Sequence, residues 1–397
     1  MKITFTDRIN RLKPSATMAV IDRAARLRAE GVNVISFGAG EPDFDTPDSV
    51  IKAAEQAMRN GKTRYTPGSG TAELKKAIVE KLARDNNLGY SPNQIIASSG
   101  AKHSLFNICQ ALFQEGDEVI VFSPYWVSFP AFVTMSGATP VFVQTTAEEQ
   151  FQINAEKLSA AITPRTRGMI VNTPSNPTGG VLLPETLQML VDMANQHDLW
   201  LISDECYEAI TYDEPHISLA TLPHAYERTL TVQSCSKTYA MTGWRIGYVA
   251  GNKDVVAAMG KFQGQSTSCP NSIAQAAAVE ALMGDQTIVQ ERRDEFRIRR
   301  DYIIDALNQI PGLECVMPEG AFYAFPNISA YYGKSTGDQI IENSLDLAAY
   351  LIDEAAVATI PGAAFGADDY LRISYANSME EIEEGVKRIK NALAKLT

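Results

Sequence analysis

Between about residues 50 and 250 the chain alternates short β-rich runs with helical patterns, and this alternation constrains the fold more than any other feature. The strand candidates are Gln94–Ser98, Glu118–Phe122, Pro140–Val143, Gly168–Asn172, Leu199–Ser203, Thr229–Gln233 and Arg245–Ala250. Helical patterns stand between them at Lys102–Phe113, Trp126–Met135, Pro184–Gln196 and Asp254–Gln263. Such alternation predicts a largely parallel sheet covered by helices. Unbroken apolar runs suit strands buried on both faces. The last third has a different grain. A charged helix pattern spans about 287 to 309, short β-like pieces follow at Ala321–Phe325 and Leu371–Tyr375, and a final helix runs from Ser378 to about Leu396. The expected fold is α/β, a large domain with a mostly parallel seven-stranded sheet between helices, joined to a smaller α+β domain.

At 397 residues the chain has room for both. Its 47 acids against 35 bases leave a net charge of −12. With no basic run or basic amphipathic helix, this argues against nucleic-acid and anionic-membrane partners. In the long helix, Arg292, Arg293, Arg297, Arg299 and Arg300 interleave with Asp294, Glu295 and Asp301, the pattern of a solvated, ion-paired face. The five cysteines, Cys109, Cys206, Cys235, Cys269 and Cys315, are scattered without a C-x-x-C pair, as in reduced, mostly buried thiols of a cytoplasmic protein. The amino terminus lacks the apolar core of a signal peptide, and no apolar run approaches the ~20 residues of a membrane span.

In open parallel sheets, ligands bind outside the carboxyl ends of the strands, and polar residues gather at those ends here. Strand 94–98 is followed by Ser99-Gly100-Ala101-Lys102 at a helix start, where free N–H groups suit a phosphate. After strand 168–172, two prolines and two glycines form a rigid turn that projects Asn176. Asp204 and Tyr207 follow strand 199–203. Ser234-Cys-Ser-Lys237 follows strand 229–233, with Arg245 eight residues beyond the lysine. A lysine fixed at a strand end is a suitable amine for a Schiff base with a carbonyl cofactor. Together the four ends present a phosphate cradle, an amide, an acid with a phenol, and an amine, the inventory that pyridoxal phosphate requires. A nicotinamide dehydrogenase is disfavoured because no strand is followed by G-x-G-x-x-G.

With these residues in order, the chain resembles the class I aminotransferases of pyridoxal phosphate fold type I, and within them the bacterial aspartate aminotransferase subgroup. The likeness runs from Lys13-Pro-Ser-Ala-Thr17 through Gly38-Ala-Gly40-Glu-Pro-Asp-Phe-Asp-Thr-Pro47, Ser123-Pro-Tyr-Trp126, Asn172–Gly179 and Ala240-Met-Thr-Gly-Trp-Arg245-Ile-Gly-Tyr to Leu371-Arg372-Ile-Ser-Tyr-Ala376. It implies transamination between L-aspartate and 2-oxoglutarate by a ping-pong mechanism, with an aromatic amino acid or prephenate as the alternative partner. Lys237 would carry the Schiff base and shuttle the proton, its amine kept partly neutral by a lowered pKa. Asp204 would pair with the ring nitrogen, and Asn176 and Tyr207 would bond the ring oxygen. Trp126 would stack on the ring, while Gly100, Ala101, Ser234, Ser236 and Arg245 would surround the phosphate. Arg372 and Gly40 would hold the substrate α-carboxylate, with Lys102, Lys13 and Thr17 as candidates for the distal one. Tyr65 would reach the phosphate of a neighbouring subunit, implying a homodimer with shared active sites. The chain departs from the subgroup at Ala101, where glycine is usual. The implied division is an amino-terminal arm (1–12), a small substrate-closing domain (13–47 with 290–397) and a large cofactor-binding domain (48–289).

Overall fold

Seven strands form the central sheet of the computed structural model, which describes residues 3–12, 16–336 and 339–397. They are β1 (Ile95–Ser98), β2 (Glu118–Ser123), β3 (Thr139–Gln144), β4 (Thr166–Asn172), β5 (Trp200–Asp204), β6 (Thr229–Ser234) and β7 (Gly247–Ala250). Their order across the sheet is β1-β7-β6-β5-β4-β2-β3. Only β7 runs antiparallel to its neighbours. All seven expected strands are present. The last is shorter than expected because Arg245 takes a φ of 55°, a left-handed conformation that an extended strand does not admit.

Successive residues of the central strands feed two different cores. Val119, Val121, Ile170 and Ile202 join Leu105, Ile108 and Cys109 of the helix Ala101–Leu112. The intervening Ile120, Met169, Val171 and Leu201 join Leu187, Leu190, Val191 and Ala194 of the helix Pro184–His197. Side chains of a strand point alternately to its two faces, so this partition places helices on both sides of the sheet. Each fully buried aliphatic side chain contributes about 1.5–3 kcal/mol.

A second, three-stranded antiparallel sheet orders Ile360–Pro361, Leu371–Ser374 and Tyr323–Ala324 side by side. Ile35–Ser36 pairs with Val357–Ala358, and the Ser374 N–H donates to the Phe37 carbonyl, so residues 35–37 lie among carboxyl-terminal elements. The helices Ser344–Ala355 and Met379–Leu393 pack together beside them.

The basic helix Thr287–Asn308 is ion-paired, as its alternation suggests, but its face is not solvated throughout. Arg299 and Arg300 are buried. Arg299 bonds Asp43 at 2.7 Å and Glu295 at 3.0 Å, while Arg300 bonds Asp213 and Asp301, each at 2.8 Å. The Arg292 and Arg299 guanidinium groups also lie over the Phe44 ring, each 5.1 Å from its centroid. A planar guanidinium can bond carboxylates with its edge while its face covers an aromatic ring, which permits burial. Local charge alternation carries no information about Asp43, so the sequence pattern reads as a solvent face.

Cys109, Cys206, Cys235 and Cys315 are buried, Cys269 is half-buried, and all five are free thiols. Among the described residues no helix is long and apolar enough to cross a membrane.

Candidate active site

Strand register brings the expected residues to one edge of the sheet. Asn172 at the end of β4 pairs with Asp204 at the end of β5, and Asp204 pairs with Val232 of β6. Ser234, which ends β6, pairs with Gly247 at the start of β7, and Gly247 in turn pairs with Ser98 of β1. The antiparallel β7 therefore lies between two parallel strands, and its beginning sits at the edge where their carboxyl ends lie. The four ends singled out above converge, with the Arg245 turn between two of them.

Lys237 stands in the one-turn helix Cys235–Thr238, which the Ser234 hydroxyl caps by accepting from the Ser236 N–H at 2.9 Å. Its Nζ donates to the Gly40 carbonyl and lies 5.9 Å from the Tyr207 ring centroid. Burial lowers the Lys237 pKa to about 8 and raises that of Asp204 to about 6. Both groups titrate close to neutrality, where a proton can be taken up and returned.

These shifts carry a stability cost in the cofactor-free protein. Lys237 binds its proton more weakly folded than unfolded, where its pKa is near 10.5. Below pH 8 burial of the ammonium disfavours folding, and the penalty fades as pH rises from about 8 toward 10.5. Lys237→Met should therefore stabilise the cofactor-free protein at pH 7, and this advantage should vanish near pH 10.5. Chemical denaturation of both proteins across that range checks it; an advantage independent of pH would refute the electrostatic cause.

Arg372 is 3% exposed. Its Nη2 donates to the Gly38 carbonyl at 2.7 Å and its Nη1 to Asn176 Oδ1 at 3.1 Å. Among the described residues its Nε has no hydrogen-bond partner. The guanidinium lies between the rings of Tyr323 and Phe365, at 4.7 and 5.1 Å. Asn176 is buried, and its backbone N–H is fixed by Asn172 Oδ1 at 2.9 Å. The Asn172 amide also donates to the Asp204 carbonyl at 3.0 Å, tying the Asn176 turn to the acid's strand. The Tyr207 hydroxyl is 2.7 Å from that of Tyr323.

Gly100 precedes the helix Ala101–Leu112 with φ 86°, and a Cβ there would overlap the Arg245 guanidinium. Arg245 donates to the Thr242 carbonyl at 2.7 Å and to that of Ser99 at 3.4 Å. The Ala101 N–H side lies so close to Gly247 that a Cβ on that glycine would collide with it. Gly100, Ala101, Ser234, Ser236 and Arg245 thus share one corner. Trp126 packs edge-on against Phe129 and Phe132, and the Lys102 ammonium sits 5.0 Å from its ring centroid. Burial, then repulsion from Arg245, lowers the Lys102 pKa. Tyr65 is 91% exposed and far from burial in its own chain. Lys13 and the Thr17 side chain lie outside the described residues.

Sequence reasoning missed Tyr323, Gly38 and Cys206. The Cys206 N–H donates to Asp204 Oδ1 at 3.2 Å. The run Gly320-Ala-Phe-Tyr-Ala-Phe325 reads as an apolar strand, and only its pairing with Ser374 brings Tyr323 to Arg372. Behind the site, Glu205, Glu208 and His216 offer ligand atoms within 4.8 Å of one another. The buried Lys81 ammonium already pairs with Glu208 and donates to Gln233 at 2.9 Å, so a cation of the chain itself balances this cluster.

The donor set fits pyridoxal phosphate. Among the described residues, the Asp204 carboxylate receives only bonds from Cys206, leaving capacity for a ring N–H. The Gly100–Arg245 corner supplies backbone N–H groups, hydroxyls and a guanidinium suited to a phosphate. A lysine amine whose pKa burial lowers to about 8 completes the set. Fold and donor set together define the class of enzyme, that of pyridoxal phosphate fold type I. Residues 32–389 match the family described as Aminotransferase class I and II. The aspartate/prephenate aminotransferase of Nitrosomonas europaea is 46% identical over 394 residues, covering 98% of this chain and 99% of that one. The aspartate aminotransferase of Geobacillus stearothermophilus is 46% identical over 387 residues, covering 96% and 97%. The crystal structure of the Rhizobium meliloti aspartate aminotransferase superposes with a TM-score of 0.96 at 44% identity, covering all of both chains. The chain belongs to the class I and II aminotransferases, and pyridoxal phosphate is its cofactor.

Proposed function

We propose that this aminotransferase moves the amino group of L-aspartate to 2-oxoglutarate in two alternating half-reactions, releasing oxaloacetate and L-glutamate. The observation that carries the amino-acid part of this reading is the buried Arg372 guanidinium, aligned by Gly38 and Asn176 and, among the described residues, with its Nε unbonded. A guanidinium held in this way suits bidentate capture of a carboxylate. The names of the relatives, aspartate or aspartate/prephenate aminotransferases at 43–46% identity, support the same substrate.

Pyridoxal phosphate supplies a carbonyl that condenses with amines and a ring that accepts the electron pair released at the substrate Cα. In our reading Lys237 would take the substrate Cα proton and carry it to the cofactor side of the site, a role suited to an amine with a pKa of about 8. Asp204 keeps the ring nitrogen protonated, and the Asn176 amide and Tyr207 phenol donate to the ring oxygen. The Gly100 and Ala101 backbone, Ser234, Ser236 and Arg245 bind the phosphate. Trp126 covers the ring and excludes water. Arg372 and Gly40 hold the α-carboxylate, and Lys102 reads the distal carboxylate, with Lys13 and Thr17 contributing.

Two assembly features belong to this reading. Tyr65, with its exposed ring, reaches the phosphate of a second copy, giving a homodimer with shared sites. Segments 13–47 and 290–397 form a small domain that closes on 48–289 when a dicarboxylate binds, with residues 1–12 as an arm. The enzyme acts in the cytoplasm, in keeping with its free cysteines.

A second reading takes prephenate as amino acceptor, favoured by relatives named for both substrates. Single-turnover half-reactions with aspartate, phenylalanine and prephenate separate these readings. Aspartate should react fastest among the amino donors; an aspartate rate far below that of phenylalanine would sink the assignment.

A further inference from the structure

We propose that Tyr323 is a positioning residue with two separable functions, its hydroxyl directing Tyr207 toward the cofactor's ring oxygen and its ring supporting Arg372. The inference rests on the role proposed above for Tyr207.

The geometry of the two phenols supports it. Tyr323 is completely buried and Tyr207 is 5% exposed, so the Tyr323 hydroxyl depends on a protein partner. Their oxygens are 2.7 Å apart, and among the described residues each is the other's only hydrogen-bond partner. A phenol has one proton to give and lone pairs to accept with. If Tyr207 gives its proton to the ring oxygen, its own oxygen is left to accept, and Tyr323 stands in place to donate. The rings meet edge to face at 5.7 Å and 77°, which fixes the angle between the hydroxyls. A donor bonded to the Tyr207 oxygen polarises that phenol and strengthens the bond it makes onward.

The backbone holds Tyr323 in register with the arginine. Ser374 pairs with Tyr323 and Ile373 with Ala324, on the strand that carries Arg372. The Tyr323 ring lies 4.7 Å from the Arg372 guanidinium, a cation–π distance. Gly40 adds a steric reason. A Cβ at Gly40 would stand 3.1 Å from the Tyr323 hydroxyl, while the Gly40 carbonyl accepts from Lys237. The missing side chain at position 40 therefore serves Tyr323 as well as the approach of a substrate. One tyrosine touches the phenol, the guanidinium and the segment that holds the amine.

The test is a pH titration of the visible absorption band of the enzyme loaded with pyridoxal phosphate. Tyr323→Phe keeps the ring and removes only the hydroxyl. It should raise the midpoint by roughly half a unit to one unit, the worth of one hydrogen bond. Tyr207→Phe should raise it further, and the double variant should match Tyr207→Phe alone, because the two hydroxyls act in series. A midpoint unmoved by Tyr323→Phe while Tyr207→Phe shifts it overturns this inference alone. If neither variant moves it, the reading of Tyr207 falls as well. Maleate affinity tests the ring. Tyr323→Phe should bind maleate as the parent does, and Tyr323→Leu should bind it about three- to thirtyfold more weakly, the range of one cation–π contact. Equal maleate affinity in the leucine variant would remove the supporting function of the ring.

Discussion

Lys237→Ala should yield a folded protein that lacks the yellow colour of the loaded parent and transaminates at least about 10⁴-fold more slowly. The expectation follows from how the side chain is held. The capped turn after β6 fixes the Lys237 backbone, the Gly40 carbonyl accepts from its Nζ, and the Tyr207 ring lies beneath it. No water placed at random reproduces an amine whose pKa burial has brought to about 8. Alanine removes both the covalent partner and the proton carrier, so the losses compound. Lys237→Arg is the sharper control, because a guanidinium keeps the positive charge but does not give up its proton near neutrality. It should be as inactive as the alanine variant. Absorbance after incubation with pyridoxal phosphate, and the single-turnover rate with aspartate, check both variants. A yellow, active Lys237→Ala enzyme would overturn the central assignment.

The residues that the sequence made legible share one property. Asp204, Ser234 and Lys237 lie within a few positions of an apolar strand terminus, and in a parallel sheet that terminus is a place as well as a boundary. The strands themselves were visible because burial on both faces makes them unbroken apolar runs. What stayed hidden depends on contacts across long separations. Tyr323 meets Tyr207 across 116 residues, and Arg299 meets Asp43 across 256. Neither pairing leaves a local pattern, so Tyr323 reads as part of a strand and Arg299 as part of a solvated face. The position of β7 between β1 and β6 was equally invisible, because an antiparallel strand in an α/β sheet has the same apolar run as its neighbours. The resemblance named Arg372 as the clamp, whereas its alignment by Gly38, Asn176 and two aromatic rings is information that only the folded chain holds.

Arg372→Ala should lower kcat/KM for aspartate by about 10²- to 10⁴-fold. Two charge-assisted hydrogen bonds to a carboxylate are worth about 1.5–3 kcal/mol each, and each 1.36 kcal/mol is a factor of ten. The loss should fall on both substrates, since each carries an α-carboxylate. The Asn176 side chain would also lose its partner at 3.1 Å, so some effect on the cofactor's ring oxygen should accompany it. Arg372→Lys discriminates charge from shape. A lysine supplies the positive charge but not the planar fork, and it cannot span Gly38, Asn176 and a carboxylate at once. It should recover little of the lost kcat/KM. An amine without an α-carboxylate should react equally slowly with parent and variant, because it never engages the guanidinium. If Arg372→Ala lost less than tenfold with aspartate, the carboxylate would be read elsewhere. The buried guanidinium would then serve only to join the strand Leu371–Ser374 to the Asn176 turn.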